Sequence, residues 1–197
     1  QTASGNIVTG GQLNINNGGT PNFDMNGYNL TTNALNVIAP NSVIDMRGGT
    51  LNYTSVLSMD GTVRFSGATN GVPFASGTVE YYGTTQTVTS GNYYKLLFTG
   101  ATGIYTMSSD IDVANTLEIT SGAVTLTDGN TLSVDDAVIV VSPATLTIEN
   151  NASLLQTTYT GANSGNVTVV RNTTPVLELD ATFWSSPTTG TQTLYDF

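Results

Sequence analysis

The side chains able to do acid–base, nucleophilic or metal chemistry are few in this chain and far apart. Its 197 residues hold fourteen carboxylates against four basic residues, Arg47, Arg64, Lys95 and Arg171, and it has no His and no Cys. That excludes Ser-His-Asp and Cys-His nucleophiles, ordinary zinc sites, thiolate chemistry and a disulfide framework. The oxygen-rich pairs that remain are Asp110 with Asp112, Asp128 with Asn130, and Asp135 with Asp136. A Ca²⁺ site needs about six to eight converging ligands, and none of these pairs lies in an EF-hand loop or a GGxGxD repeat. They read as solvated turn residues. A glycosidase would need two carboxylates facing one sugar, whereas Asp135 and Asp136, adjacent in sequence, would diverge to opposite faces if strand-like. A lyase acting on uronates would gather cations around the developing negative charge, and the four cations here are dispersed in sequence. The expectation is a non-enzymatic chain with no catalytic residue, no cofactor and no metal.

Two other patterns could mark a binding surface. In the doublets Tyr81-Tyr82 and Tyr93-Tyr94 one ring of each points inward and the other outward if the segments are strands. Tyr82 with Tyr93 or Tyr94 would then form an exposed aromatic platform for a sugar or a partner chain. The plainer reading is that these rings cover an irregularity in the fold. Threonine alternates in Thr85-Gln86-Thr87-Val88-Thr89, Thr125-Leu126-Thr127 and Thr145-Leu146-Thr147, which raises an ice-binding face as a further reading. Such a face repeats Thr at one position in every coil. Only Thr125 and Thr147 meet that condition at the repeat found below, so the threonines read first as structural.

The elements that must position these residues are β-strands. With 35 Thr, 20 Asn and 21 Gly against thirteen Ala, and only 9% charged residues, strand and turn formers dominate and helix formers are scarce. Short alternating runs, Gln12 to Asn16, Ala34 to Val37, Thr50 to Tyr53, Thr62 to Phe65 and Thr78 to Tyr81, are separated by Gly, Asn and Asp. From Thr116 the chain divides into TLEITSG, AVTLTDG, NTLSVDD, AVIVVSPA, TLTIENN and ASLLQTT, each with an apolar pair two apart and a polar corner. Alternation buries one face, and the regular spacing turns the chain after every strand.

Three such units make a coil, and stacked equivalents should then recur one coil later. Leu13, Leu35, Leu57 and Val79 stand 22 apart, as do Ile15, Val37, Met59 and Tyr81. In the second half Leu117 leads to Ile139, Ile119 to Val141, Val124 to Leu146, Leu126 to Ile148 and Leu132 to Leu154 at the same interval, and Leu96 and Phe98 precede Leu117 and Ile119 by 21. The fold class is therefore all-β, a single parallel β-helix or β-solenoid over residues 1–197, with coils of about 22 residues and three short strands per coil. Eight or nine coils would make a rod roughly 40 Å long. The two halves are out of register, which places an irregularity near residues 83–110. Two domains split near 84–92 is the alternative organisation, and a β-sandwich, which predicts hairpins instead of coil-length recurrence, is the alternative architecture. Residues 172–197 read as a C-terminal tail or linking segment.

The net charge of -10 and the scattered cations argue against nucleic acid and anionic lipid, and no apolar run approaches the ~20 residues of a membrane-spanning helix. The start at Gln1 without Met suggests either a processed mature end or a trimmed boundary. Five sequons, at Asn29, Asn52, Asn151, Asn166 and Asn172, are acceptors only in a eukaryotic secretory pathway. In so Asn- and Thr-rich a chain they read as chance.

Three stretches, Phe23-Asp24-Met25-Asn26-Gly27-Tyr28-Asn29-Leu30, Val79-Glu80-Tyr81-Tyr82-Gly83-Thr84-Thr85-Gln86-Thr87-Val88 and Tyr93-Tyr94-Lys95-Leu96, together with Phe183-Trp184-Ser185-Ser186-Pro187 and Thr193-Leu194, carry a resemblance. The chain resembles the repetitive β-rich regions of secreted and cell-surface adhesin-like proteins of Bacteroidota, of flavobacterial type, exported by the type IX secretion system. The resemblance implies an extracellular location, at the bacterial surface or secreted, and a structural or adhesive role. It marks no catalytic residue. Uncapped solenoid ends favour stacking, so the expected partners are other copies, in a homo-oligomer or polymer, or flanking domains of a longer chain. Surface glycans are a further candidate, and a terminal strand such as Asn166 to Arg171 could exchange between copies.

Overall fold

A computed structural model describes residues 1–15, 22–37, 39–67, 76–158 and 161–172. Its strands, in chain order, begin with β1 (Ile7–Ile15), β2 (Asn22–Asp24), β3 (Leu30–Val37), β4 (Val43–Arg47), β5 (Leu51–Met59), β6 (Thr62–Phe65), β7 (Thr78–Tyr81), β8 (Thr85–Thr87), β9 (Gly91–Tyr93) and β10 (Lys95–Phe98). They continue with β11 (Ile104–Met107), β12 (Ile111–Val113), β13 (Leu117–Ile119), β14 (Ala123–Leu126), β15 (Thr131–Val134), β16 (Val138–Val140), β17 (Thr145–Ile148), β18 (Ser153–Gln156) and β19 (Val167–Val169). Every pairing between them is parallel. The chain is a β-solenoid, and each seven-residue unit read from Thr116 onward contains one strand, β13 to β18.

Four sheets form its sides. Sheet A runs through β2, β4, β6, β7, β10, β13 and β16; sheet B holds β1, β3 and β5; sheet C holds β8, β11, β14, β17 and β19; sheet D holds β9, β12, β15 and β18. Seven strands in sheet A mark about seven turns among the described residues, against eight or nine expected. The second half has three strands per coil, as anticipated. The first half has two, because one long strand of sheet B replaces the C and D pair, bent by register shifts at Thr9/Gln12 in β1 and at Leu35/Asn36 in β3.

Coil length varies more than the sequence suggested. Along sheet A the partners Phe23, Ile44, Val63, Val79, Leu96, Leu117 and Val138 follow at steps of 21, 19, 16, 17, 21 and 21 residues. Four expected columns are corrected by this. Leu35 stacks on Val56, not Leu57, because the shift after Leu35 slips the register, and Leu57 is exposed. Val79 and Tyr81 belong to sheet A and do not continue the columns of Leu13 and Ile15, which lie in sheet B. Likewise Leu117 and Ile119 stack on Val138 and Val140, not Ile139 and Val141; a one-residue slip in a strand turns every side chain to the other face, and Val141 is exposed. The columns Ile15-Val37-Met59, Val124-Leu146, Leu126-Ile148 and Leu132-Leu154 stand as read.

The core is one column-filled interior of Leu, Ile, Val and Met, with a different filling where the coils shorten. There Phe65, Tyr81, Tyr93, Phe98 and Tyr105 are buried, with Tyr81 and Phe98 stacked at 5.6 Å and Phe98 against Tyr105 at 4.8 Å. The hydroxyls of the three tyrosines satisfy corner backbone that would otherwise be buried unpaired. The Thr89 N–H donates to the Tyr81 hydroxyl at 3.2 Å, Tyr93 donates to the Thr89 carbonyl at 2.5 Å, and the two hydroxyls lie 3.1 Å apart. Buried Gln86 stitches two further corners, donating to the Gly67 carbonyl at 2.8 Å and accepting from the Gly83 N–H at 2.7 Å. The irregularity expected near residues 83–110 is thus a run of short, aromatic-filled coils beginning earlier, at Val63. The predicted tail at 172–197 lies, beyond Asn172, outside the described residues.

Candidate functional site

Alternation along sheet A turns one residue in each strand outward, and there the charges gather. Asp24, Asp45, Arg64 and Glu80 are successive register partners in β2, β4, β6 and β7, with Leu97, Glu118 and Ile139 completing the row through β10, β13 and β16. Arg47, at the end of β4, clamps Asp24 through Nε at 2.9 Å and Nη2 at 2.8 Å. Arg64 pairs with Glu80 at 3.3 Å and lies 4.1 Å from the centroid of the Tyr82 ring. Tyr82 donates to Asp45 Oδ1 at 2.6 Å, Thr99 donates to Glu80 Oε1 at 2.5 Å, and Lys95 meets Glu118 at 2.7 Å. Three of the four cations, scattered in sequence, thus lie on one face. The signal that could have found them is the recurring triplet of an apolar, a charged and an apolar residue, Phe23-Asp24-Met25, Ile44-Asp45-Met46, Val63-Arg64-Phe65 and Val79-Glu80-Tyr81, hidden by its uneven spacing.

The electrostatics follow from these contacts. The Arg47 guanidinium beside Asp24 holds that carboxyl below its ordinary range, outweighing partial desolvation. Partial burial and the hydrogen bond to Asp45 raise the Tyr82 phenol. Arg64 Nε has no hydrogen-bond partner among the described residues, with Asp45 Oδ2 4.0 Å away. Chemically the row offers paired donors and acceptors at the rim of a polar face, half-exposed at Arg47 and partly exposed at Arg64 and Lys95.

The remaining sequence candidates act as corner fasteners. Asp110 accepts the Thr131 N–H at 2.8 Å, Asp128 accepts from Asn151 at 3.2 Å, and Asn130 donates to Thr127 Oγ1 at 2.8 Å. Asp135 accepts from the Thr157 hydroxyl and Asp136 from the Gly161 N–H, while Asp112 is exposed on β12. Among the described residues no three carboxylates converge on a metal position. Arg171 donates to the carbonyls of Glu149 and Ala152, 3.0 and 2.9 Å away, at the end of the solenoid. The aromatic platform raised as the alternative reading of the tyrosine doublets is not assembled. Tyr93 is in the core, Tyr94 is exposed before the start of β10, and Tyr82 follows the end of β7. In the parallel register that leaves Tyr94 five residues, roughly 16 Å, from Tyr82 along the strands.

Sheet C presents the other regular face. Gln86, Tyr105, Val124 and Leu146 point inward, and Thr87, Thr106, Thr125 and Thr147 outward, in register. Thr168 of β19 continues the outward row.

A family model described as a domain of unknown function (DUF8693) is similar to residues 100–197. No curated protein and no solved structure matches the chain.

Proposed function

We propose that the protein is a non-enzymatic, extracellular structural or adhesive solenoid, a stalk, fibre or filament segment that joins end to end through its terminal strands. The observation that supports this reading is the state of its two edges. Among the described residues β1 is paired on one side only, by β3, and β18 and β19 on one side only, by β15 and β17. Such edges display a row of backbone donors and acceptors that templates pairing with another chain. They also expose apolar side chains, Val8 at 76% on β1 and Leu155, Val167 and Val169 at the other end. The Gly10-Gly11 bulge divides β1 into two short segments, a two-part outline like that of β18 and β19. The location and the adhesive role rest on the resemblance to Bacteroidota surface proteins.

Negative-stain electron microscopy with light scattering on the same sample tests the reading. Rods lengthening with concentration, and shortened to single units by Val8→Lys or Val169→Lys, are expected. A monomer that stays monomeric at high concentration, with its edge-strand amides protected from exchange, would overturn end joining.

A carbohydrate-binding role is the second reading. It is favoured by the sheet A row, where Tyr82, Arg64 and Asp45 present a ring edge, a guanidinium and a carboxylate together. Glycan-array binding lost in Tyr82→Ala would support it, and an unchanged profile would count against it.

A further inference from the structure

The threonines of sheet C form a longer array than the sequence revealed. Thr87, Thr106, Thr125, Thr147 and Thr168 are register partners through five consecutive strands, with no register shift in any of the four pairings. Their spacing of 19, 19, 22 and 21 residues hides this row from a search at a fixed interval. Neighbouring strands lie ~4.8 Å apart, so five threonines make a row of roughly 19 Å. Two residues earlier on each strand, roughly 6.6 Å away along it, the second outward row holds Thr85, Ile104, Ala123 and Thr145.

A second observation is independent of the repeat. The chain carries a net charge of -10, yet no strand of sheet B or sheet C contains a charged residue, while those of sheet A carry Asp24, Asp45, Arg47, Arg64, Glu80, Lys95 and Glu118, and of these two uncharged sheets C is the one with an unbroken threonine row. Hydroxyl use differs too. Thr120 and Thr127 spend theirs on the Phe98 and Met107 carbonyls, and Thr9 bonds Thr32. Among the described residues the hydroxyls of Thr106, Thr125, Thr147 and Thr168 make no such bond.

These features select one kind of ligand. Threonine is stiff at χ1, so its hydroxyls and methyls are held in place before anything binds. Each hydroxyl both donates and accepts, and the methyl beside it restricts the orientations of adjacent water. A charge would gather water radially around itself, whereas an uncharged row at a constant interval orders water at that interval. The axial interval of ~4.8 Å, at which the threonine hydroxyls recur, is close to a repeat of oxygens in hexagonal ice, and Ile104 and Ala123 add an apolar strip beside that row. A glycan or a protein partner would gain from charge, which the strands of this face lack.

We propose that the outer face of sheet C, centred on Thr106, Thr125 and Thr147, binds ice. This uses the side of the solenoid and not its ends, so it stands apart from end joining and gives an adhesive rod a defined surface to adhere to.

The test is ice partitioning of the fluorescently labelled full chain during slow freezing, with inhibition of ice recrystallisation measured on the same preparation. Enrichment in ice over a non-binding protein of similar size is expected. Thr125→Lys with Thr147→Lys should lower the partition roughly tenfold or more, whereas Ser133→Lys on the outer face of sheet D should leave it unchanged. Circular dichroism and melting establish that each variant is folded. If the double lysine variant does not fold, Thr125→Val with Thr147→Val keeps the branch and removes the hydroxyls, and its partition should also fall. A wild-type chain excluded from ice, folded threonine variants that partition fully, or a Ser133→Lys loss as large as theirs would overturn the proposal. Single rods that bind ice would sink end joining and leave this inference standing.

Discussion

Tyr105 reaches back to close the corner at Gly83, its hydroxyl donating to the Gly83 carbonyl across 3.1 Å. The same oxygen accepts the Gly100 N–H at 2.9 Å, so one phenol ties the corners of two successive coils. Tyr105→Phe keeps the ring and strands both groups in the interior. A loss of about 1–3 kcal/mol is expected, read as a fall in Tm of roughly 3–10 °C. A melting point unchanged from wild type would show that water enters the corner.

Glycines at two corners should respond differently to alanine. A Cβ on Gly83 would meet the Ser66 carbonyl oxygen at 2.1 Å, since the coils stack backbone on backbone there. Gly129 has open space but a φ of +77°. Gly83→Ala is expected to cost about 3 kcal/mol through overpacking, and Gly129→Ala about 1–2 kcal/mol through the left-handed backbone alone. Denaturant midpoints at constant m-value measure both.

Acid should weaken the first coils before the rest. Asp24 is held below its ordinary carboxyl value of 3.8 by Arg47. Its contribution is therefore present above the unfolded value and is lost as pH falls through the lower folded one. Asp24→Asn and Arg47→Gln should each flatten the decline in Tm below about pH 4, and added salt should mimic them, because the pair is partly solvated. Parallel acid limbs in wild type and variants would refute this assignment.

Alkaline titration has the opposite sign. Burial pushes Tyr53 up to about 12, and desolvation raises Tyr93, Tyr105 and Tyr82 as well. Their stabilising contribution is complete below pH ~10, the unfolded phenol value, and is lost as pH rises through the folded values. Phenolate absorbance of the native chain should lag that of the denatured chain by at least these four of the nine tyrosines, with unfolding at the upper end.

Much of the fold was legible because alternation and corner residues are local. Val124, Leu126 and Leu132 found their partners at 22 residues for that reason, and each seven-residue unit became a strand. What a fixed interval could not follow was the change in perimeter. A 21-residue coil in sheet A put Val138, not Ile139, over Leu117, and the steps of 19, 16 and 17 brought Arg64 beside Glu80 and Tyr82. The threonine row was lost in the same way, since Thr87 and Thr106 are 19 apart. Side-chain faces survive such changes because the corners absorb the difference in length while the ladder keeps its register.

The parallel ladders also decide how the molecule carries a load. Their hydrogen bonds run along the solenoid axis, and the two edges, β1 at one end and β18 with β19 at the other, are the last coils held. A pull between those ends strips the outermost coil first, opening its few bonds in succession instead of shearing a whole sheet at once. Each coil of about 21 residues then pays out roughly 70 Å of extended chain, against the ~4.8 Å it occupied in the stack. Under such a pull the solenoid is expected to yield stepwise, lengthening severalfold before its remaining turns are disturbed.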